Sequence, residues 1–140
     1  MLSIITTQLE IKTKGQGDFV NLTPRLSQII SDKGMIEGFV NVFVVGSTAG
    51  ILTLEFEPGL IKDLNELYET LCPKNKDYHH HQTWGDYNGS SHLRASLQGP
   101  FLCVPFKDSK LCLGTWQQVA LAEFDTTARV RKIIVQIIGK

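Results

Sequence analysis

The run EGFVNVFVVGS, residues 37–47, constrains the fold most, because it is nearly continuous in Val and Phe and has no helical spacing of polar positions. A β-branched and aromatic run of this kind reads as a well-buried strand. A second strand, GILTLEFE (50–57), follows after the small residues Gly46 to Gly50, which form a short turn. LSIITTQLEIK (2–12) is β-branched and loosely alternating, and predicts another strand. FLCVPF, KLCLGTWQQVALAEFD and RVRKIIVQIIG, all in the last third, are strand formers separated by Asp108-Ser109 and by Asp125-Thr126-Thr127.

Helical spacing interrupts this pattern in three places. In NLTPRLSQIISDKG, Thr23 can cap a helix, Pro24 suits its first turn, Leu26, Ile29 and Ile30 share a face, and Gly34 stops it. Leu60, Leu64, Leu67 and Leu71 predict a second helix over 59–72. A short third one begins at Ser91, in SHLRASL, and ends at Gly99-Pro100. Strands and helices that do not alternate regularly predict an α+β domain on a mostly antiparallel sheet. With no repeat or linker, residues 1–140 are expected to form a single domain.

Fourteen basic residues balance fourteen acidic ones, which argues against a counterion-releasing nucleic-acid surface. No apolar run is long enough to span a membrane, and the N-terminus lacks the basic start and cleavage site of a secretory signal, so no membrane partner is expected. Cys72, Cys103 and Cys112 show no CxxC spacing and cannot all pair within one chain; a reducing cytoplasm is the expected compartment.

All four histidines fall in one segment, YHHHQTWGDYNGSSHLRASLQGP (78–100). On an extended backbone His79 and His81 would point to one side, and the turn-rich loop GDYNGS could bring His92 back toward them. Two or three imidazoles beside Asp86 would suit zinc or a similar divalent ion, whereas the plainer reading is a solvated loop. With Ser91 as N-cap, His92 and Arg94 would lie in the first helical turn, where backbone N–H groups and a guanidinium favour an anion. Trp116 reads as core. Thr115 and Gln117, facing the other way, are candidate site members, and Glu55 and Glu57 could do acid–base work or solvate a strand end. There is no GxSxG, Walker or GxGxxG motif.

Three blocks in this order, GSTAGILTLEFEPG, HHHQTWGDYNGSSHLRASLQGP and LGTWQQVALAEFD, resemble the YjbQ-like family along nearly the whole chain. The resemblance implies a compact α+β fold with a mixed, largely antiparallel sheet, two main helices and one short one, assembled as a homotrimer. It also implies secondary thiamine-phosphate synthase activity: a pyrimidine diphosphate is joined to a thiazole phosphate and pyrophosphate leaves. His81, Asp86 and His92 would then be catalytic; Arg94, Asn88, Ser91, Thr115 and Gln117 would hold a phosphorylated substrate. A divalent metal, zinc or magnesium, would sit on His79, His81 and His92. Gly46 and Ser90 stand where many members have histidine, so a site here must lean on His79, His80 or Asp86, or be weaker than in relatives. The alternative is a non-catalytic trimer that binds a metal or ligand.

Overall fold

The computed structural model describes residues 1–140 and orders them as β1 (Ser3–Lys12), β2 (Phe19–Asn21), α1 (Thr23–Asp32), β3 (Glu37–Val45), β4 (Ala49–Glu55), α2 (Pro58–Leu71), α3 (His79–Trp84), α4 (Gly89–Gln98), β5 (Phe101–Lys107), β6 (Lys110–Leu111), β7 (Gln117–Glu123) and β8 (Val130–Gly139). The strands form two sheets, β1-β8-β3-β5-β6 and β2-β7-β4, and every pairing is antiparallel. The single α+β domain expected from the sequence is present. It carries one helix more than expected, the six-residue α3.

The two sheets face each other across the main core. Val40, Val42 and Val44 of β3 and Ile133, Val135 and Ile137 of β8 meet Ile51 of β4 and Val119 and Leu121 of β7, with Leu26 and Ile30 of α1 sealing one side. Behind the three-stranded sheet, Leu52, Leu54, Ala120 and Ala122 pack against Tyr68 of α2 and Ala95 of α4. β7 and the first half of β4 are therefore buried on both faces.

The expectation that residues 37–47 are well buried holds for one face only. Phe39 and Phe43 point away from the core and are 40% and 38% exposed, because no helix covers that side of the five-stranded sheet. In α2, Leu67 and Leu71 are exposed and Tyr68 carries the buried face, so the helix is rotated from the register the leucines suggest. In α1, Thr23 is the first helical residue rather than its cap. Its hydroxyl accepts the Val119 N–H at 2.8 Å and so ties the helix start to β7, while the Asn21 side chain accepts the Thr23 N–H.

The residues between β3 and β4 do not close a hairpin. They carry the chain from one sheet to the other, and the start of β4 lies against α4. That crossover brings the turn to the histidine segment.

Candidate functional site

α3 decides which histidines can meet. Because it is helical, His79 and His81 project roughly 200° apart instead of side by side. His79 is exposed. His81 turns inward: its Nε2 accepts the Gly89 N–H at 3.1 Å, and its Nδ1 faces the Tyr78 N–H at 3.5 Å and Asp77 at 3.9 Å. Gly85, at φ +69° in the left-handed region, ends the helix. Through the Gly89 bond to Nε2, His81 fastens α3 to the start of α4. The expected metal set of His79, His81 and His92 does not form.

His80 is the residue that meets His92. Their ring centroids are 4.6 Å apart, tilted by 39°. His80 Nδ1 lies 3.4 Å from Asp86 Oδ1, and this buried nitrogen makes no hydrogen bond. Asn88, with its amide turned so that both ends are satisfied, donates to both Asp86 oxygens and holds the carboxylate beside the ring. Asp86 and Asn88 are thus at the site, supporting His80.

Cavities flank His92 on two sides. One, of about 240 Å³, is walled by Tyr78, His79, His80, Gly89 and Leu93. The other, of about 200 Å³, is walled by Gly46, Ser47, Ala49, Ala95, Ser96 and Pro100. Burial pushes the Tyr78 phenol above its usual value, and its hydroxyl donates to the Pro73 carbonyl at 2.6 Å, so this ring serves as a wall.

Ser91 and Arg94 are placed differently from expectation. α4 starts at Gly89 with Asn88 as its N-cap, so Ser91 lies inside the first turn, fully buried, its hydroxyl unpaired. The helix starts early because Gly89 fits beneath Tyr78: a Cβ there would stand 2.8 Å from Tyr78 Cβ. Arg94 then falls in the second turn and faces α2, 3% exposed. Its Nε and Nη2 donate to the Cys72 carbonyl at 3.1 and 2.9 Å, and Nη2 pairs with Glu69 at 2.7 Å. The guanidinium closes the end of α2 and does not turn toward the imidazoles.

Thr115 and Gln117 sit at the far end of β4, where Gln117 pairs with Glu55, whereas His92 stands near Ala49 at its start. Trp116 is not core: it is 73% exposed on the loop before β7, beside a separate cavity of about 450 Å³. Glu57 caps α2 through the Gly59 and Leu60 N–H groups, which hold its carboxyl below the usual range, while Glu55 stays at the exposed strand end.

No three His, Cys, Asp or Glu side chains converge as a cation cage in the protomer. His80 and His92 offer two imidazoles, and His81, which would have supplied a third, is spent on backbone. The residues present do not fit the three-ligand zinc or magnesium site, and no chemistry below is routed through a metal.

The model for the UPF0047 protein YjbQ-like family matches residues 7–140. Among curated relatives, a UPF0047 protein of Methanothermobacter thermautotrophicus is 33% identical over 139 residues, covering 99% of this chain and 95% of its own length. One from Archaeoglobus fulgidus is also 33% identical, covering 92% and 98%. A solved YbjQ-like protein of unknown function from Sulfolobus solfataricus superposes with a TM-score of 0.92 at 28% identity and covers both chains fully. A hypothetical protein from Aeropyrum pernix gives 0.88 at 26% identity, covering 97% of this chain and 99% of its own.

Proposed function

We propose, for a chain that belongs to the UPF0047 YjbQ-like family, an enzyme that transfers a group from a phosphorylated small molecule, with the His80–His92 pair giving a proton to the departing phosphate oxygen. One observation carries this reading: two imidazoles stacked at 4.6 Å, one backed by Asp86, stand on the wall of a cavity that can admit a small ligand. An imidazole titrates near neutral pH and can both take and return a proton. In this assignment His92 is the acid–base group, and His80, with the Asp86 carboxylate beside it, tunes it.

The reaction we assign is secondary thiamine-phosphate synthesis, in which a pyrimidine diphosphate joins a thiazole phosphate and pyrophosphate leaves. Its main requirement is neutralisation of the departing oxygens, which a protonated imidazole meets in part. At 140 residues the chain is too short for a (β/α)₈ barrel of roughly 200 or more, so the activity is an independent and slow solution. A strain lacking its principal thiamine-phosphate synthase tests it. Expression of this chain should restore slow growth, and His80→Ala and His92→Ala should abolish the rescue.

A second reading, a homotrimer whose role is binding rather than catalysis, draws on the uncovered sheet face. Ile4, Phe39, Phe43 and Phe101 are 70%, 40%, 38% and 56% exposed on the five-stranded sheet. Ile4, Ile138 and Phe39 form one apolar row across this face and Ile134, Phe43 and Phe101 another, on either side of Thr6, Gln136 and Asn41; exposed aromatics in such rows fit a contact between copies. No helix is long and apolar enough to cross a membrane. The exposed free thiols of Cys103 and Cys112 fit a reducing cytoplasm, which we assign as the compartment.

A further inference from the structure

The arginine expected to hold a phosphate, Arg94, is occupied elsewhere, and the site described so far has no seat for an oxyanion. The turn between β3 and β4 supplies one. The N–H groups of Gly46, Ser47 and Thr48 donate to no backbone carbonyl. Gly46 and Ser47 wall the 200 Å³ cavity, with Ser96 of α4 and His92 across from them. Neither serine hydroxyl is consumed by another element. Successive free N–H groups in a turn form an anion-binding concavity.

Arg131 braces this turn from beneath. Its Nη2 donates to the Thr48 carbonyl at 3.0 Å and hydroxyl at 2.7 Å, and Nε and Nη2 donate to Glu123 at 2.8 and 3.0 Å. Nη1 has no such partner and points to the glycine: a Cβ at position 46 would stand 2.9 Å from it. Gly46, at φ +144°, has a backbone that few other residues adopt, so the turn and the guanidinium approach each other only because this residue lacks a side chain. The charges packed under the turn cancel, since Glu123 faces Arg131 and Asp125, which also accepts from Thr48, faces Arg129. His92 is then the one imidazole on the wall of this cavity.

We propose that the Gly46–Thr48 turn, with Ser47, Ser96 and His92, is the seat of a phosphoryl group, leaving the organic part of the ligand for the cavity on the other side of His92. The proposal refines the reading above by naming what the second cavity holds, and it rests on that reading only for the identity of the whole substrate. An oxyanion here accepts backbone N–H and hydroxyl donors, with the imidazolium at one edge and the guanidinium below.

Inorganic pyrophosphate is the probe, titrated into the wild-type protein by calorimetry and followed by amide chemical shifts. Saturable binding is expected, with the largest shifts at Gly46, Ser47 and Thr48. Ser96→Asp, an exposed change on α4, should weaken it about tenfold or more by placing a carboxylate at the cavity. Ser47→Asp, on the exposed turn, should act in the same direction and serves if the first variant folds poorly. No saturable binding, shifts confined to other residues, or undiminished affinity in the aspartate variants would overturn the proposal. Pyrophosphate binding in a protein that performs no synthesis would leave this seat standing and remove only the synthase assignment.

Discussion

His80 and His92 lie 4.6 Å apart, their rings tilted by 39°, because the start of α4 packs against the start of α3, with Gly89 as the joint between them. One turn of helix places His80, and not its two neighbours, against His92. The division of labour follows: His79 is exposed at the cavity rim, His80 faces His92, and His81 holds the joint.

His81 should therefore matter for stability rather than for ligand binding. His81→Ala removes the acceptor of the Gly89 N–H, a loss of about 1–2 kcal/mol by urea denaturation. His79→Ala, at an exposed position, should change stability by no more than about 0.5 kcal/mol.

Arg94 offers a sharper contrast between a binding and a structural role. Arg94→Ala leaves the Cys72 carbonyl without its donors and the Glu69 carboxylate without its partner. A loss of about 2–3 kcal/mol is expected in urea unfolding. Pyrophosphate affinity, measured where the variant is folded, should stay within about twofold of wild type.

Acid should expose the Glu57 cap. The Gly59 and Leu60 N–H groups hold this carboxyl below its ordinary range. A group depressed in the folded state stabilises above its unfolded pKa and loses that contribution as pH falls through the folded value. Glu57→Ala should lower the urea midpoint at about pH 7, and the gap between variant and wild type should narrow steadily toward about pH 3.

The outer sheet face predicts the assembly state. Wild-type protein should scatter light as three 15.6 kDa chains, and Phe43→Glu, which charges the middle of the apolar face, should leave monomers that remain folded by circular dichroism. A wild-type monomer would contradict the trimer.

Much of this was legible in the sequence. The β-branched runs and the spacing of Leu26, Ile29 and Ile30 located the strands and α1, because burial imposes periods that residue types reveal. What was hidden depends on helix phase. HHHQTW has weak intrinsic helix propensity, and α3 exists through Tyr78, Gly85 and the His81–Gly89 bond, which are contacts beyond the segment. Shifting the backbone from extended to helical exchanged His81 for His80 at the cavity. Starting α4 two residues earlier than Ser91 moved Arg94 from the exposed first turn to the α2 contact. Asn88 was the available signal for that start, since it is among the preferred N-cap residues. Phe39 and Phe43 misled for another reason: an apolar strand face can be covered by a second chain as well as by its own helices.

The most direct measurement is pyrophosphate release in vitro from a pyrimidine diphosphate and a thiazole phosphate, comparing wild type with His92→Ala and His80→Ala. The account predicts slow but measurable release by the wild type and a fall of about a hundredfold or more in His92→Ala, the usual scale for losing an acid–base group. Equal rates in all three proteins, or no release by the wild type, would contradict it.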